Sequence, residues 1–346
     1  MTEINKDKIK KVLCIKPRGI GDIVLSTIVL ENLASYFPYA KIDYLVEDFA
    51  KDSLRNNPFV NKILTMRNKE FSLKVARRIR KEKYDLVLDL WSNPRSAQIT
   101  FFSGAKHRVG FSYRGRRYAY NLLASSSRGD HHSAEHNLEL LKPINVPVTS
   151  KRIHYYVSEK ENDSGKKFIQ DHFSAGDIII GIIPSGGWAS KRCDASKWVS
   201  VCENIFTSFD KIKFLILWGP GDENDAEFIK ARLGEKSVLA PETDVSSLSG
   251  LIKNCTLVIA NDSGPMHISA ALGIPTLGLF GPTNPNMHGP YSSKSDYVIK
   301  EDLFCIICNL QRCPYKHECF LDLPVENILI KIESLFAKNN IEVKKK

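Results

Sequence analysis

The sequence predicts an α/β protein made of two doubly wound, Rossmann-like parallel-sheet domains in tandem, facing a central cleft. Three observations predict it. The chain has 346 residues, more than one hydrophobic core usually organises. Strand and helix patterns alternate along it, and the alternation starts afresh past the middle. The first strand of the second round, residues 177–183, is almost continuously apolar, as expected of a strand buried on both faces.

The elements follow in order. Residues 11–16 form an apolar-rich strand, and Gly21-Asp22 leads into a helical pattern that runs to Tyr36. Strands at 41–47 and 61–66, a basic helix at 69–83, a strand at 84–90 and an extended segment at 108–111 come next. Residues 112–130, rich in Arg, Tyr, Ser and Gly and without a period, read as a long loop. A helix at 134–141 precedes a linker within 147–164. The second round gives strand 177–183, helix 195–207, strand 213–217, helices 222–233 and 245–253, strand 256–260, helix 264–272 and strand 275–279. The expected domains are 1–160 and 161–324, followed by a C-terminal segment, 325–346, that carries a helix.

Composition narrows the function classes. Apolar residues make up 43% of the chain and charged residues 25%, ordinary globular usage. The apolar stretch 12–30 is broken by Lys16, Arg18 and Asp22, so it reads neither as a membrane span nor as a signal peptide. Cys14, Cys193, Cys202 and Cys255 are scattered among apolar or helical patterns and read as reduced, which fits a cytoplasmic protein. The net charge of +10 is uneven: residues 1–175 hold 31 Lys and Arg against 19 Asp and Glu, a balance of +12, and the remainder carries −2. Such a basic half suits an anionic partner: nucleic acid, an anionic membrane surface or a phosphorylated glycolipid. The run Arg77-Arg78-Ile79-Arg80-Lys81, taken alone, equally describes the solvated face of a helix.

Three motifs sit where strands end, the place where ligands bind in sheets of this type. The first is Lys16-Pro17-Arg18-Gly19-Ile20-Gly21-Asp22. It fails as a dinucleotide fingerprint, because Val24 holds the third glycine position and Asp22 would put a carboxylate where a pyrophosphate must rest. Asp22 is either a first-turn helix acid or a general base. The second, Pro184-Ser185-Gly186-Gly187-Trp188-Ala189-Ser190-Lys191-Arg192, combines small residues with positive charge and suits phosphate contact. The third, Asn261-Asp262-Ser263-Gly264-Pro265-Met266-His267, joins a strand to a helix whose free N–H groups make an anion site. His267 helps hold a phosphate there or is a structural histidine.

Together these residues resemble glycosyltransferase family 9, the heptosyltransferase family of lipopolysaccharide core assembly. Beyond the three motifs the resemblance runs through Asn57-Pro58-Phe59-Val60, Gly104-Ala105-Lys106-His107-Arg108-Val109-Gly110, Ala270-Ala271-Leu272-Gly273-Ile274-Pro275 and Leu279-Phe280-Gly281-Pro282-Thr283. It implies a GT-B architecture, an inverting and metal-independent transfer from an ADP-heptose donor, and a C-terminal helix packing back toward the first domain. It also implies roles. Asp22 matches the catalytic carboxylate and Lys191 the phosphate-contacting lysine. Ser185, Asp262, Ser263, Gly264 and His267 lie in the loops that hold the donor diphosphate, and Glu223 matches the acid that holds the nucleotide ribose, with Asp222 adjacent. Arg192-Cys193-Asp194 departs from the aromatic–proline pair usual there.

The expected chemistry follows. Asp22 takes the proton of an acceptor hydroxyl, and Lys191 with the helix terminus stabilises the departing diphosphate, so no catalytic cofactor is required. Arg18, Arg95, Lys106, Arg108, Arg114, Arg116 and Arg117, on loops or near strand ends, are the candidates for holding an anionic glycolipid acceptor at the inner membrane face. Nucleic acid is not the expected partner, since it would explain the charge but not the diphosphate loop. Cys305-x2-Cys308-x4-Cys313-x5-Cys319 is a candidate structural zinc or iron–sulfur site, set against reduced thiols or disulfides. Rival functions are a family 9 transferase with another sugar or acceptor, and a nucleotide-sugar epimerase or binding protein, for which the basic half has no use.

Overall fold

A computed structural model describes residues 4–127, 129 and 131–346. The chain divides into two compact units, Met1–Tyr156 and Val157–Lys346, and the division falls inside the segment read as a linker.

The first unit is one parallel sheet of six strands: β1 (Lys11–Ile15), β2 (Lys41–Glu47), β3 (Lys62–Met66), β4 (Leu86–Asp89), β5 (His107–Phe111) and β6 (Leu122–Ala124). Its order is β3-β2-β1-β4-β5-β6, so the winding reverses between β1 and β4. Val12, Leu13, Cys14 and Ile15 on β1 are wholly buried, as the central strand of such a sheet requires.

The helical pattern after β1 is two helices, Ile20–Ser26 and Ile28–Tyr36. The chain turns at Thr27, whose hydroxyl bonds the Val24 carbonyl at 2.6 Å and accepts the His154 amide at 2.7 Å. The basic helix is Ser72–Glu82; it buries Val75, Ala76 and Ile79 and leaves Arg77, Arg78, Arg80 and Lys81 exposed, the solvated face foreseen as one reading of that run.

Two expectations for this unit need correction. The segment read as a loop from 112 to 130 contains a short 3-10 turn, Arg117–Ala119, and the edge strand β6; Arg128 and Asp130 lie outside the described residues. Arg95, expected on a loop or near a strand end, stands in the first turn of the helix Pro94–Phe102, which Asn93 caps by accepting the Ser96 amide at 2.8 Å.

The second unit repeats the topology with β7 (Ile178–Ile183), β8 (Ile212–Ile216), β9 (Ser237–Leu239), β10 (Leu257–Asn261), β11 (Thr276–Phe280) and β12 (Asp296–Ile299), in the order β12-β11-β10-β7-β8-β9. Here the winding reverses between β7 and β10. The last part of the expected linker is helical: Glu159–His172 begins with a reciprocal cap between Ser158 and Glu161. It lies against the helix Val245–Lys253 so closely that a side chain on Gly165 would strike the Gly250 carbonyl, and one on Gly250 the Glu161 carbonyl. The C-terminal helix Val325–Lys338 buries Ile328, Ile332, Leu335 and Phe336 in the core formed with β7, β8, β10 and β11 of this same unit.

Candidate functional site

In the first unit the carboxyl end of β1 runs into Lys16-Pro17-Arg18-Gly19, and the helix starts at Ile20. Gly19 has φ +82°, and a Cβ there would collide with the Asp22 carboxylate, so glycine is what lets this turn close over the acid. Asp22 forms no cap; its side chain is 60% exposed and lies 3.6 Å from the Lys16 ammonium, itself 13% exposed. Lys16 also donates to the Leu90 carbonyl at 3.3 Å, which fixes the cation at the reversal point between β1 and β4. The geometry is that of an accessible carboxylate beside a held cation.

Buried carboxylates frame this edge. Glu47, at the end of β2, lies 3.3 Å from Arg18 Nε and 3.3 Å from Arg95 Nη1. Burial raises the Glu47 carboxyl above its ordinary range, and the two arginines act against that rise. Asp89, at the end of β4, is also raised by burial, opposed by the Ser92 amide and the Tyr120 hydroxyl. Its bonds to Ser92 N–H at 2.8 Å and Tyr120 Oη at 2.7 Å set the Trp91–Asn93 turn.

The structure sorts the seven cations proposed for the acceptor. Arg18 and Arg95 are joined through Glu47, and Arg95 also donates to the carbonyls of Arg67, Asn68 and Glu70, which makes it an anchor of the local backbone. Arg108 likewise donates to Ala105 and Ala119 carbonyls at 2.8 and 3.0 Å. Lys106 precedes β5, at the amino edge of the sheet, so a five-residue strand, about 16 Å, separates it from the edge that carries Asp22. Arg114, Arg116 and Arg117 follow the carboxyl end of β5. Arg116 lies over the Tyr113 ring at 5.7 Å, Arg117 donates to Ser112 O, and Arg114 is exposed.

In the second unit three strand ends converge. The loop after β7 places Lys191 Nζ 2.7 Å from Asp262 Oδ2 and 4.5 Å from the centre of the Trp188 ring. Thr283, beyond β11, donates to the same Asp262 oxygen at 2.7 Å. Asp262 is thus the counter-ion that aims Lys191, a carboxylate role that the loop reading, which gave it to the diphosphate, did not contain. Asn261 ties β10 to the loop by donating to Pro184 O at 2.6 Å. Ser185 and Gly186 follow directly, Ser185 half-buried.

The helix Gly264–Ala271 opens at Ser263 without a side-chain cap, and the Ser263 hydroxyl is buried with no hydrogen-bond partner among the described residues. The amides of Gly264 and Met266 in the first turn have no intrahelical acceptor, and the helix dipole adds positive potential there. His267 is buried one turn in. Next to this, Arg192 bonds Gly186 O at 3.0 Å and pairs with Asp222 at 3.0 Å, which gives the Arg192-Cys193-Asp194 departure its shape. Asp222 is buried, and burial raises its carboxyl against the pull of Arg192. Glu223, the first residue of the helix Glu223–Leu233, is exposed, so of the two adjacent acids it is the one open to a ribose.

The cysteine segment does not meet the metal expectation. Cys305, Cys308, Cys313 and Cys319 line one small cavity, but all are free thiols, and among the described residues no group of three or more His, Cys, Asp or Glu could hold a metal. Burial, then the neighbouring sulfurs, push Cys319 up to about 12. The segment has a structural part instead. Leu310 and Gln311 carbonyls take the Ser190 hydroxyl and amide, and Ile307 and Asn309 amides bond Gly281 and Pro282 carbonyls. It therefore braces both loops that position Lys191 and Thr283.

Sequence reasoning missed Thr283 and this brace, since pairs so far apart in the chain leave no local pattern; Thr283 was visible only as part of a run, and Trp188 only as a member of the loop motif that ends in Lys191.

Known proteins resemble this chain in sequence and in fold. Residues 72–318 match the model of glycosyltransferase family 9 (heptosyltransferase). The lipooligosaccharide heptosyltransferase 2 of Haemophilus influenzae is 27% identical, over 94% of this chain and 99% of that protein. A family 9 glycosyl transferase from Veillonella parvula superposes with a TM-score of 0.84 at 22% identity, covering 97% of this chain and 99% of that one. The ADP-heptose LPS heptosyltransferase II of Escherichia coli gives 0.78 at 22% identity, covering 95% and 99%.

Proposed function

The chain belongs to glycosyltransferase family 9, and from that premise we propose that it transfers heptose from an ADP-heptose donor to the inner core of lipopolysaccharide. Relatives that match it nearly end to end are named lipooligosaccharide or lipopolysaccharide heptosyltransferases, and a solved neighbour is named an ADP-heptose LPS heptosyltransferase. One observation carries the donor half of the reading. Lys191, held by Asp262, and the uncapped helix start with its buried Ser263 hydroxyl lie at the ends of β7 and β10, where the second sheet reverses its winding. Preorganised positive charge of this kind is what a departing diphosphate needs.

In this mechanism Asp22 accepts the proton of the acceptor hydroxyl as its oxygen attacks the anomeric carbon, on the face opposite the diphosphate. The bond to the diphosphate breaks through an oxocarbenium-like transition state, and the configuration inverts. Negative charge then grows on the leaving oxygen, and Lys191 with the amides of Gly264 and Met266 stabilises it. Ser185 and Ser263 hydroxyls complete the diphosphate contacts, and Glu223 takes the ribose hydroxyls. Arg18, Arg114, Arg116 and Arg117 meet the phosphate and acidic-sugar groups of a glycolipid acceptor, with Arg95 and Arg108 holding the backbone that presents them. The protein works in the cytoplasm, in peripheral contact with the inner membrane; among the described residues no helix is long and apolar enough to cross one.

Because protein groups supply the charge, ADP is expected to bind equally well with and without EDTA. Calorimetric titration tests this, and ADP binding that vanishes with the chelator while the fold persists would remove the assignment.

A further inference from the structure

We propose that the exposed aromatic cluster Phe101, Phe102 and Tyr118 seats the first unit on an anionic lipid bilayer. The proposal rests on the glycolipid-acceptor reading above and gives its membrane contact a location. Phe101 and Phe102 end the helix Pro94–Phe102, and Tyr118 lies in the 3-10 turn Arg117–Ala119. The three rings are 42%, 42% and 54% exposed. Phe101 touches both of the others, 5.1 Å from Phe102 and 5.5 Å from Tyr118 between ring centres. Single exposed aromatics need no explanation; three joined through Phe101 form an apolar patch.

The charge around the patch has one sign. From Leu90 to Ser127 the chain carries six Lys and Arg residues and no Asp or Glu. The nearest acid before it, Asp89, is fully buried among hydrogen bonds. The helix packed against Pro94–Phe102 is the basic one, Ser72–Glu82, whose Arg80 reaches Gly104 just past the aromatic pair. Its single acid, Glu82, is paired with Lys11 and Lys62. Aromatic rings set among exposed cations suit the head-group layer of a negatively charged bilayer, where each cation strengthens attachment on the order of fivefold.

Ring geometry separates this partner from single-stranded nucleic acid. The contacts are edge-to-face, at 84° and 66°, so the rings bury faces against one another and offer no row of open faces for bases to stack on. Position agrees too. The same helix carries Arg95 in its first turn, at the edge that bears Asp22, and ends six and seven residues later in the aromatic pair, about 10 Å along its axis. A bilayer at the cluster would thus keep a glycolipid head group within short reach of that edge.

The test uses the full chain and phosphatidylcholine vesicles, with and without phosphatidylglycerol and with no acceptor present. Wild type should co-sediment with the phosphatidylglycerol vesicles, and Phe102→Ser/Tyr118→Ser should bind them about tenfold more weakly. The same variant should keep the wild-type melting temperature and its turnover on a deacylated, water-soluble acceptor. As a check independent of lost packing, Phe102→Trp should gain fluorescence that brominated lipid quenches. Equal vesicle binding by wild type and the double variant, or added Phe102→Trp fluorescence that brominated lipid leaves unquenched, overturns the proposal. So does wild-type binding to an oligonucleotide but not to vesicles, or self-association that the double variant abolishes. A failed transferase reading would show itself separately, as no turnover on any acceptor while vesicle binding persists.

Discussion

Replacing Lys191 by Ala should do more than delete one positive charge. Lys191 Nζ lies 2.7 Å from Asp262 Oδ2, and both side chains are largely shielded from solvent. Without the ammonium, Asp262 retains the Thr283 hydroxyl at 2.7 Å, and its negative charge stands unmatched beside the helix start proposed for the diphosphate. Two unit charges about 4 Å apart interact by about 4 kcal/mol at an effective dielectric near 20. Lost attraction and new repulsion act in the same direction, while partial exposure of the site weakens each. The expected net loss of donor affinity is about 2.8 kcal/mol, or on the order of 100-fold. Adding Asp262→Asn removes the repulsion, so the double variant should bind ADP more tightly than the single one, by on the order of tenfold. The assay is calorimetric titration with ADP, followed by donor KM and kcat, with thermal melts as the control for folding. Wild-type ADP affinity in the Ala variant would refute the reasoning, and so would a double variant that binds still more weakly.

Asp22→Asn should leave ADP affinity intact and lower turnover by roughly 10²–10⁴-fold, the usual worth of a positioned base; unchanged turnover would remove Asp22 from that role. Glu223→Gln should weaken ADP binding on the order of tenfold with little effect on melting. Asp222→Asn should do the reverse, lowering the melting temperature by breaking the half-buried pair with Arg192; if the two variants exchange these phenotypes, the ribose contact is misassigned. Arg114→Ala/Arg116→Ala/Arg117→Ala should raise acceptor KM and flatten its salt dependence, because exposed charges are screened over about 8 Å at physiological ionic strength. Donor KM should respond less to salt, and equal responses for both substrates would contradict the acceptor role.

What the sequence revealed, and what it hid, follows from which interactions are local. Strand β7 was legible because Ile178–Ile183 is apolar throughout, and the helix start at Ser263 because a cap-type serine stands just before Pro265. Strand β6 was not, since three residues in an Arg- and Ser-rich stretch give no period to read. The helix Glu159–His172 escaped for a related reason. It buries only Gly165, so it has no apolar stripe, and its tight contact with Gly250 depends on a residue with no side chain. The Ser158–Glu161 cap was the one local signal it gave.

The candidate site divided in the same way. Asp22, Lys191 and the loop proposed for the diphosphate were visible as motifs at strand ends. The Lys191–Asp262–Thr283 chain was not, because it joins three strand ends that only the sheet brings together. Among the cations, sequence gave the sign of the charge but not its use. Arg95 and Arg108 turn inward to backbone carbonyls, while Arg114 stays exposed.

The most direct test of the account is the product itself. Purified protein, an ADP-heptose donor and a deacylated inner-core acceptor would be incubated together, and the acceptor analysed by mass spectrometry and its new linkage by NMR. The account predicts a mass gain of one heptosyl residue, with the anomeric configuration inverted relative to the donor, and no such product from Asp22→Asn on the same timescale. Unchanged acceptor mass, a donor epimerised or hydrolysed without transfer, or retained configuration would contradict it.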